Sequence, residues 1–191
     1  MFARGFPNHL QDDVTRVVRL LSKRTFFNVA IKESETTVQY SQNNQVINFP
    51  YRIYPLDNSN GFIDRLSEQQ KMILHCILSR SDDGYIRQKH LRALLQMDCE
   101  DWAIPYIVKI CDEYVVEILE MSYDFLKEQD TARIKNFCSE NREAFCKSYS
   151  RMISYWNEYY RHTYSDFHQY VGRKLFRECF GYTRAMELKS K

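Results

Sequence analysis

Glu158 and His162 stand four residues apart, with Asp166 and His168 close behind them. One helical turn and the cap of the next helix would put two carboxylates and two imidazoles within reach of each other. Such a set can bind a metal or move protons. The opposing reading is that His162 shares a solvated face with Lys147, Arg151 and Arg161, while His168 holds the third position of a helix, where a polar side chain supports the cap. That reading outweighs a catalytic one. Glu113, Glu117, Glu120, Asp124 and Glu128 recur at steps of four, three, four and four, which stacks carboxylates on one face of a continuous helix. Stacked carboxylates can hold hard cations, but a di-iron bundle also needs a histidine three residues after a glutamate. Residues 120 and 123 are Glu and Tyr, so a partner-facing stripe is the expectation, with Glu113, Glu117, Glu120 and Asp124 as its docking residues.

A third group is aromatic. Tyr149 to Tyr182 holds 11 aromatic residues in 34 positions, interleaved with Arg151, Arg161, Arg173, Lys174 and Arg177. Rings can stack on bases while cations meet phosphates. At helical spacing the rings fall mostly on one side and the cations on the other, as a buried aromatic core with a basic surface requires. Tyr155 and Tyr164 lie off the apolar stripe and are the candidates for exposed stacking.

Other chemistries are disfavoured. The five glycines (Gly5, Gly61, Gly84, Gly172, Gly181) are isolated, whereas a phosphate-cradling loop needs several close together. Gly-x-Ser-x-Gly and His-Glu-x-x-His are missing, and with them the commonest readable hydrolase signatures. The six cysteines contain no Cys-x-x-Cys pair of the kind zinc or thiol redox work uses. A carboxylate two residues before a lysine, a nuclease hallmark, occurs as Glu187 and Lys189 near the C-terminal end. His75 and His90 are read as packing or surface residues. No cofactor or metal is expected.

The formal charge is +2 in 191 residues, but residues 1–60, 61–130 and 131–191 carry +2, −6 and +6. An acidic middle beside a basic end means either internal docking or a surface for a charged partner. No apolar run approaches the roughly 20 residues needed to span a bilayer, and the N-terminus has no signal-peptide pattern. A cytoplasmic protein is the expectation.

These side chains need elements to position them. Gly 5 and Pro 4 are few for the length, which favours helices over a turn-rich β fold. The spacing of Val14, Val17, Val18 and Leu21 predicts a helix over 9–23, with Asn8 and Gln11 as its cap. Phe26–Ile31 and Thr36–Phe49 read as a small β-hairpin turning at Asn43-Asn44. Pro50 and Pro55 keep Tyr51–Tyr54 extended, and Leu56–Gly61 reads as a loop. Ser67 with Gln70 forms a capping box for a helix to about Arg80, and a second follows the Ser81–Gly84 break. Pro105 suits a first turn, and apolar residues from Ile104 to Leu126 predict one long central helix over Trp102–Glu128. Two more helices are expected after it. The first carries Phe145, Tyr149, Met152, Trp156, Tyr159 and Tyr160 on its apolar face. The second is capped by Ser165 and stopped at Gly181, with a frayed polar tail beyond Tyr182.

The segment Asp82–Leu95 followed by the helix from Trp102 resembles one HEAT-type helical hairpin, with Asp83, Ile86 and Arg87 matching its opening. The resemblance covers about a quarter of the chain and implies helix-on-helix packing rather than a solenoid. Tyr51–Tyr54, Glu113–Glu120 and Ser154–Arg161 resemble segments of bacterial proteins with no assigned activity, which implies no function.

The expected fold is mainly α: about six helices in a compact bundle with a small N-terminal hairpin. Residues 1–60 form the helix and hairpin and residues 61–191 the bundle, as one cooperative unit. The expected function is non-catalytic docking of a protein partner through a charged helix face. Nucleic-acid binding by Arg151, Tyr155, Arg161, Tyr164, Arg173, Lys174 and Arg177 is the alternative.

Overall fold

The computed structural model of the chain describes residues 2–22, 31–54 and 61–188. All of the expected strand at Phe26–Ile31 except Ile31, most of the loop at Leu56–Gly61, and Lys189 lie outside the described residues. Among the described residues the fold is mainly helical, at 64%, with nine α-helices rather than about six, and two small two-stranded sheets. The chain forms two compact units, residues 1–106 and 107–191.

In the first unit, short 3-10 turns at Phe2–Gly5 and Asn8–Leu10 lead into α1 (Gln11–Ser22). The cap differs from expectation. Asn8 opens the 3-10 turn, and the Gln11 side chain instead donates to the Phe6 and Pro7 carbonyls, each at 3.3 Å. β1 (Lys32–Glu33) and β4 (Ile53–Tyr54) pair antiparallel, as do β2 (Thr37–Gln42) and β3 (Gln45–Pro50), with Thr37 opposite Pro50. Asn43 and Asn44 turn the hairpin at φ 49° and 61°, the positive values that a two-residue type I′ loop needs and asparagine tolerates.

α2 (Glu68–Leu78) opens with the expected capping box: Gln70 N–H donates to Ser67 Oγ, and Gln70 Oε1 accepts from Ser67 N–H. α3 (Gly84–Leu95) starts at Asp83, whose carboxylate accepts from Tyr85 and Ile86 N–H. The strands are fastened to these helices. Ile53 N–H donates to the Arg80 carbonyl, Asp82 N–H to the Ile53 carbonyl, and Gln42 Nε2 to the Asp101 carbonyl. The first unit therefore runs past residue 60, to the aromatic stack of Phe6, Phe49, Trp102 and Tyr106. Tyr106 hydroxyl donates to the Gly5 carbonyl at 2.8 Å, and a Cβ on Gly5 would lie 2.5 Å from that hydroxyl. Only glycine admits this approach.

The expected long central helix is two helices. After a 3-10 turn at Asp101–Ala103, α4 (Ile104–Ile110) carries Pro105 in its first turn; the chain then breaks helix over 111–115 and resumes as α5 (Val116–Leu126). α6 (Ala132–Glu140) and α7 (Arg142–Tyr155) follow, and α7 widens into a π turn at Trp156–Tyr160. Asp166 rather than Ser165 caps the next turn, accepting His168 N–H at 2.8 Å, because that turn is a 3-10 segment at Phe167–Gln169. α8 (Val171–Lys174) widens in turn at Leu175–Cys179. Gly181, at φ 76°, stops it, and Tyr182 N–H reaches the Phe176 carbonyl, one residue farther back than a Schellman closure because the turn is wide. The tail beyond Tyr182 ends in a short α9 (Ala185–Leu188) instead of fraying at once. Phe145, Tyr149, Met152, Phe176, Phe180 and Tyr182 form the buried centre of this unit, with Tyr149 and Tyr182 stacked at 3.6 Å.

Candidate functional site

The break between α4 and α5 is built around buried charge. Asp112 is fully buried, and its Oδ2 meets Lys109 Nζ at 2.5 Å, Ser148 Oγ at 2.8 Å and Arg151 NH1 at 3.1 Å. Low dielectric strengthens the contact between buried Lys109 and Asp112 and makes the loss of either ion costly, while Arg151, 41% exposed, meets the same oxygen from the solvent side. Glu113, the first residue of the expected acidic stripe, is also buried at 1% exposure. It lies in the break and off α5, so it is no part of a solvent-facing stripe.

The backbone of the break is completed by a tyrosine. Tyr160 hydroxyl donates to the Tyr114 carbonyl at 2.5 Å and accepts Val116 N–H at 3.3 Å, so one side chain serves a carbonyl and an amide hydrogen that the interrupted helix would have paired itself. One turn along α5, Tyr164 hydroxyl donates to Glu120 Oε1 at 3.1 Å. That hydrogen bond to a carboxylate pushes the Tyr164 hydroxyl pKa up, and burial does the same to Tyr160. Tyr123 hydroxyl reaches Glu178 at 2.7 Å. Besides its buried apolar residues Ile118, Leu119 and Leu126, the acidic helix thus meets the C-terminal third through tyrosine hydroxyls, with Glu120 half-buried and Glu117 exposed.

Beside them lies an exposed aromatic group. Tyr114 and Tyr159 are 48% and 59% exposed. With half-buried Tyr155 they form a triangle of rings whose centroids are 6.0, 6.2 and 6.2 Å apart. Tyr159 was expected on the apolar face. The π turn at 156–160 closes i to i+5 instead of i to i+4, which shifts the phase of the helix and turns Tyr159 to solvent. Glu117, exposed, stands one residue past Val116 and close enough to raise the Tyr160 pKa by its charge. Asp124, farther along α5, is exposed and pairs with Lys127 at 2.8 Å.

The other candidates separate. Glu158, His162, Asp166 and His168 are all exposed, and the contact between any two is the Asp166 cap on the His168 backbone. No group of three or more His, Cys, Asp or Glu positioned for a metal occurs among the described residues. Tyr155 packs on Tyr114, and Tyr164 has a carboxylate at its hydroxyl, so neither presents the free ring beside cations that base stacking needs. Arg151 is committed to Asp112. Arg161 reaches Asn157 at 3.4 Å, and Arg173 lies over the Phe167 ring at 5.9 Å. Lys174 and Arg177 are half-exposed and exposed.

In the first unit, His75 and His90 are buried, with their Nδ1 atoms 2.7 Å apart. One must donate and the other accept, so the two rings hold different tautomers or one carries both protons. A cavity of about 640 Å³ lies there too, open to solvent between Arg4, Phe6, Asn8 and Asn48. Cys76, Cys111, Cys138 and Cys179 are buried and Cys99 and Cys146 partly so, and none is bonded to another.

Comparison with protein-family models, curated proteins and solved structures finds no match. No described helix is long and apolar enough to cross a membrane. Sequence reasoning missed Tyr114, Tyr159 and Tyr160 as surface and bridging residues by assigning them to apolar stripes. The polar residues Lys109, Asp112 and Glu113 fall in this run without disturbing its helical apolar spacing, so they gave no sign of the break.

Proposed function

We propose that this is a non-catalytic, cytoplasmic docking protein whose second unit receives a basic segment of a partner protein. The receiving face is Glu117, Glu120 and the exposed rings Tyr114 and Tyr159. The observation that carries this reading is that the exposed Glu117 and the half-buried Glu120 share a unit with the exposed tyrosines Tyr114 and Tyr159. Aromatic residues are the enriched anchors of protein interfaces, and charge complementarity sets the partner's sign. Tyrosine hydroxyls hold the acidic helix in place and leave Glu117 unneutralised.

Fluorescence anisotropy with a labelled Lys/Arg-rich peptide tests the reading. Binding is expected to weaken with salt, and to weaken further in Glu117→Lys, while an acidic peptide of equal length stays unbound. If the peptide fails to bind and a single-stranded oligonucleotide binds instead, with affinity lost on neutralising Arg173, Lys174 and Arg177, the nucleic-acid alternative replaces it. Turnover of a substrate that depended on Glu158 or His162 would also overturn it.

A further inference from the structure

We infer that the tyrosine triangle reads a guanidinium: the residue of the partner that seats on Tyr114 and Tyr159 is an arginine. This rests on the docking function proposed above and names the side chain that the face selects. Three features of the face argue for it.

The first is ring access. Tyr114 and Tyr159 are the exposed members of the triangle, their centroids 6.2 Å apart and their planes inclined at 52°. A cation above the cleft between two such rings lies within about 6 Å of both centroids, the range over which the ring quadrupole attracts it. The third ring, Tyr155, supports the other two from below at 6.0 and 6.2 Å, so the pair is held in place before a ligand arrives.

The second is charge. Glu117 is exposed, three residues after Tyr114, and its charge reaches Tyr160, whose ring lies 6.4 Å from that of Tyr159. A carboxylate in the neighbourhood of an aromatic surface asks for a side chain that stacks and pairs at once. Guanidinium does both: it is flat, it forms a fork of N–H donors matched to a carboxylate, and it is less strongly hydrated than an ammonium. Lysine offers a point charge that keeps its water and gains less from the rings.

The third is rigidity. Tyr160 hydroxyl ties the Tyr114 carbonyl and Val116 N–H together, which fixes the backbone on which Tyr114 and Glu117 stand. The ordering cost of binding is thereby reduced.

The test uses the full-length protein and three capped peptides, Gly-Ser-Xaa-Gly-Xaa-Ser-Gly, in which Xaa is arginine, lysine or citrulline. Citrulline keeps the shape of arginine and removes its charge. Binding is followed by NMR at the tyrosine ring signals, up to a peptide concentration of about 1 mM, the weak limit for a single-anchor contact. Arginine is expected to bind several-fold more tightly than lysine and at least about tenfold more tightly than citrulline. Tyr159→Ala should remove the preference for arginine over lysine. Tyr159→Phe, which keeps the ring, should retain it and controls for folding.

Equal binding of arginine and lysine, both above citrulline, overturns the guanidinium assignment while leaving the docking of a basic segment standing. Binding of citrulline as tight as arginine, or binding of none of the three, overturns both. A second copy of the chain is the remaining occupant. Self-association in sedimentation without peptide, lost in Tyr159→Ala, would put the protein's own surface on the rings and overturn the assignment to a partner.

Discussion

Asp112 meets three donors with one oxygen, and the cost of removing it follows from what it leaves behind. Asp112→Ala takes away the carboxylate that lies 2.5 Å from Lys109 Nζ, in a pair that is 3% and 0% exposed. Breaking a buried ion pair from one side costs about 3–5 kcal/mol. Denaturant unfolding should show a loss of that order. Ser148→Ala, which removes one neutral donor, should lose only about 1 kcal/mol. Equal losses in the two variants would mean that the ion pair contributes no more than the hydroxyl.

Between elements, the junctions carry most of the specificity. Tyr160→Phe deletes the hydroxyl that serves both sides of the α4–α5 break, and leaving those backbone groups unpaired should lower stability by about 1–3 kcal/mol. Hydrogen exchange should rise first at Val116. Gly172 packs closely on α7: a Cβ there would lie 2.9 Å from Met152 Sδ and 2.8 Å from Tyr170 Cε1. Gly172→Ala should therefore destabilise the second unit by about 1–3 kcal/mol through overpacking, even though alanine is the better helix former. A gain in thermal midpoint would refute that close approach.

The same junctions explain what could be read in advance. Local rules act within a few residues, so the Ser67–Gln70 box, the Asn43-Asn44 turn, Pro105 in a first turn and the Gly181 stop were all legible. The break at 111–115 was not, because Ile104–Leu126 keeps helical apolar spacing and the carboxylate that interrupts it is held by Ser148 and Arg151, far along the chain. The exposure of Tyr159 was hidden for a related reason. A π turn changes the phase of a helix without changing its composition, and phase was the basis on which that ring was placed inside.

At the scale of the molecule, the charge blocks seen along the sequence largely cancel. Residues 1–106 hold 13 basic and 12 acidic side chains, and residues 107–191 hold 14 and 13. The acidic α5 and the basic C-terminal third belong to one unit, so any partner meets local charge on a nearly neutral body, and its affinity should depend on salt only moderately. Acids that the fold holds neutral make stability fall at alkaline pH. Burial raises the Cys111 thiol from 9.0 to about 12, and the Glu178 hydrogen bond raises Tyr123 from 10.0 to about 12. Between these values the unfolded chain has released protons that the folded one keeps, so stability falls as pH rises. Urea midpoints should hold steady below pH 9 and decline between pH 9 and about 12, and Cys111→Ala should flatten the start of that decline.

Each unit holds one tryptophan. Trp102 lies 6% exposed beside Phe6 in the first, and Trp156 donates its indole N–H to the Tyr164 carbonyl in the second. The chain therefore carries its own pair of optical probes. With Trp156→Phe the remaining emission follows the melting of the first unit, and with Trp102→Phe that of the second. The second probe also sits three residues before Tyr159 on the same helical run, so a ligand seated on that ring should change its emission.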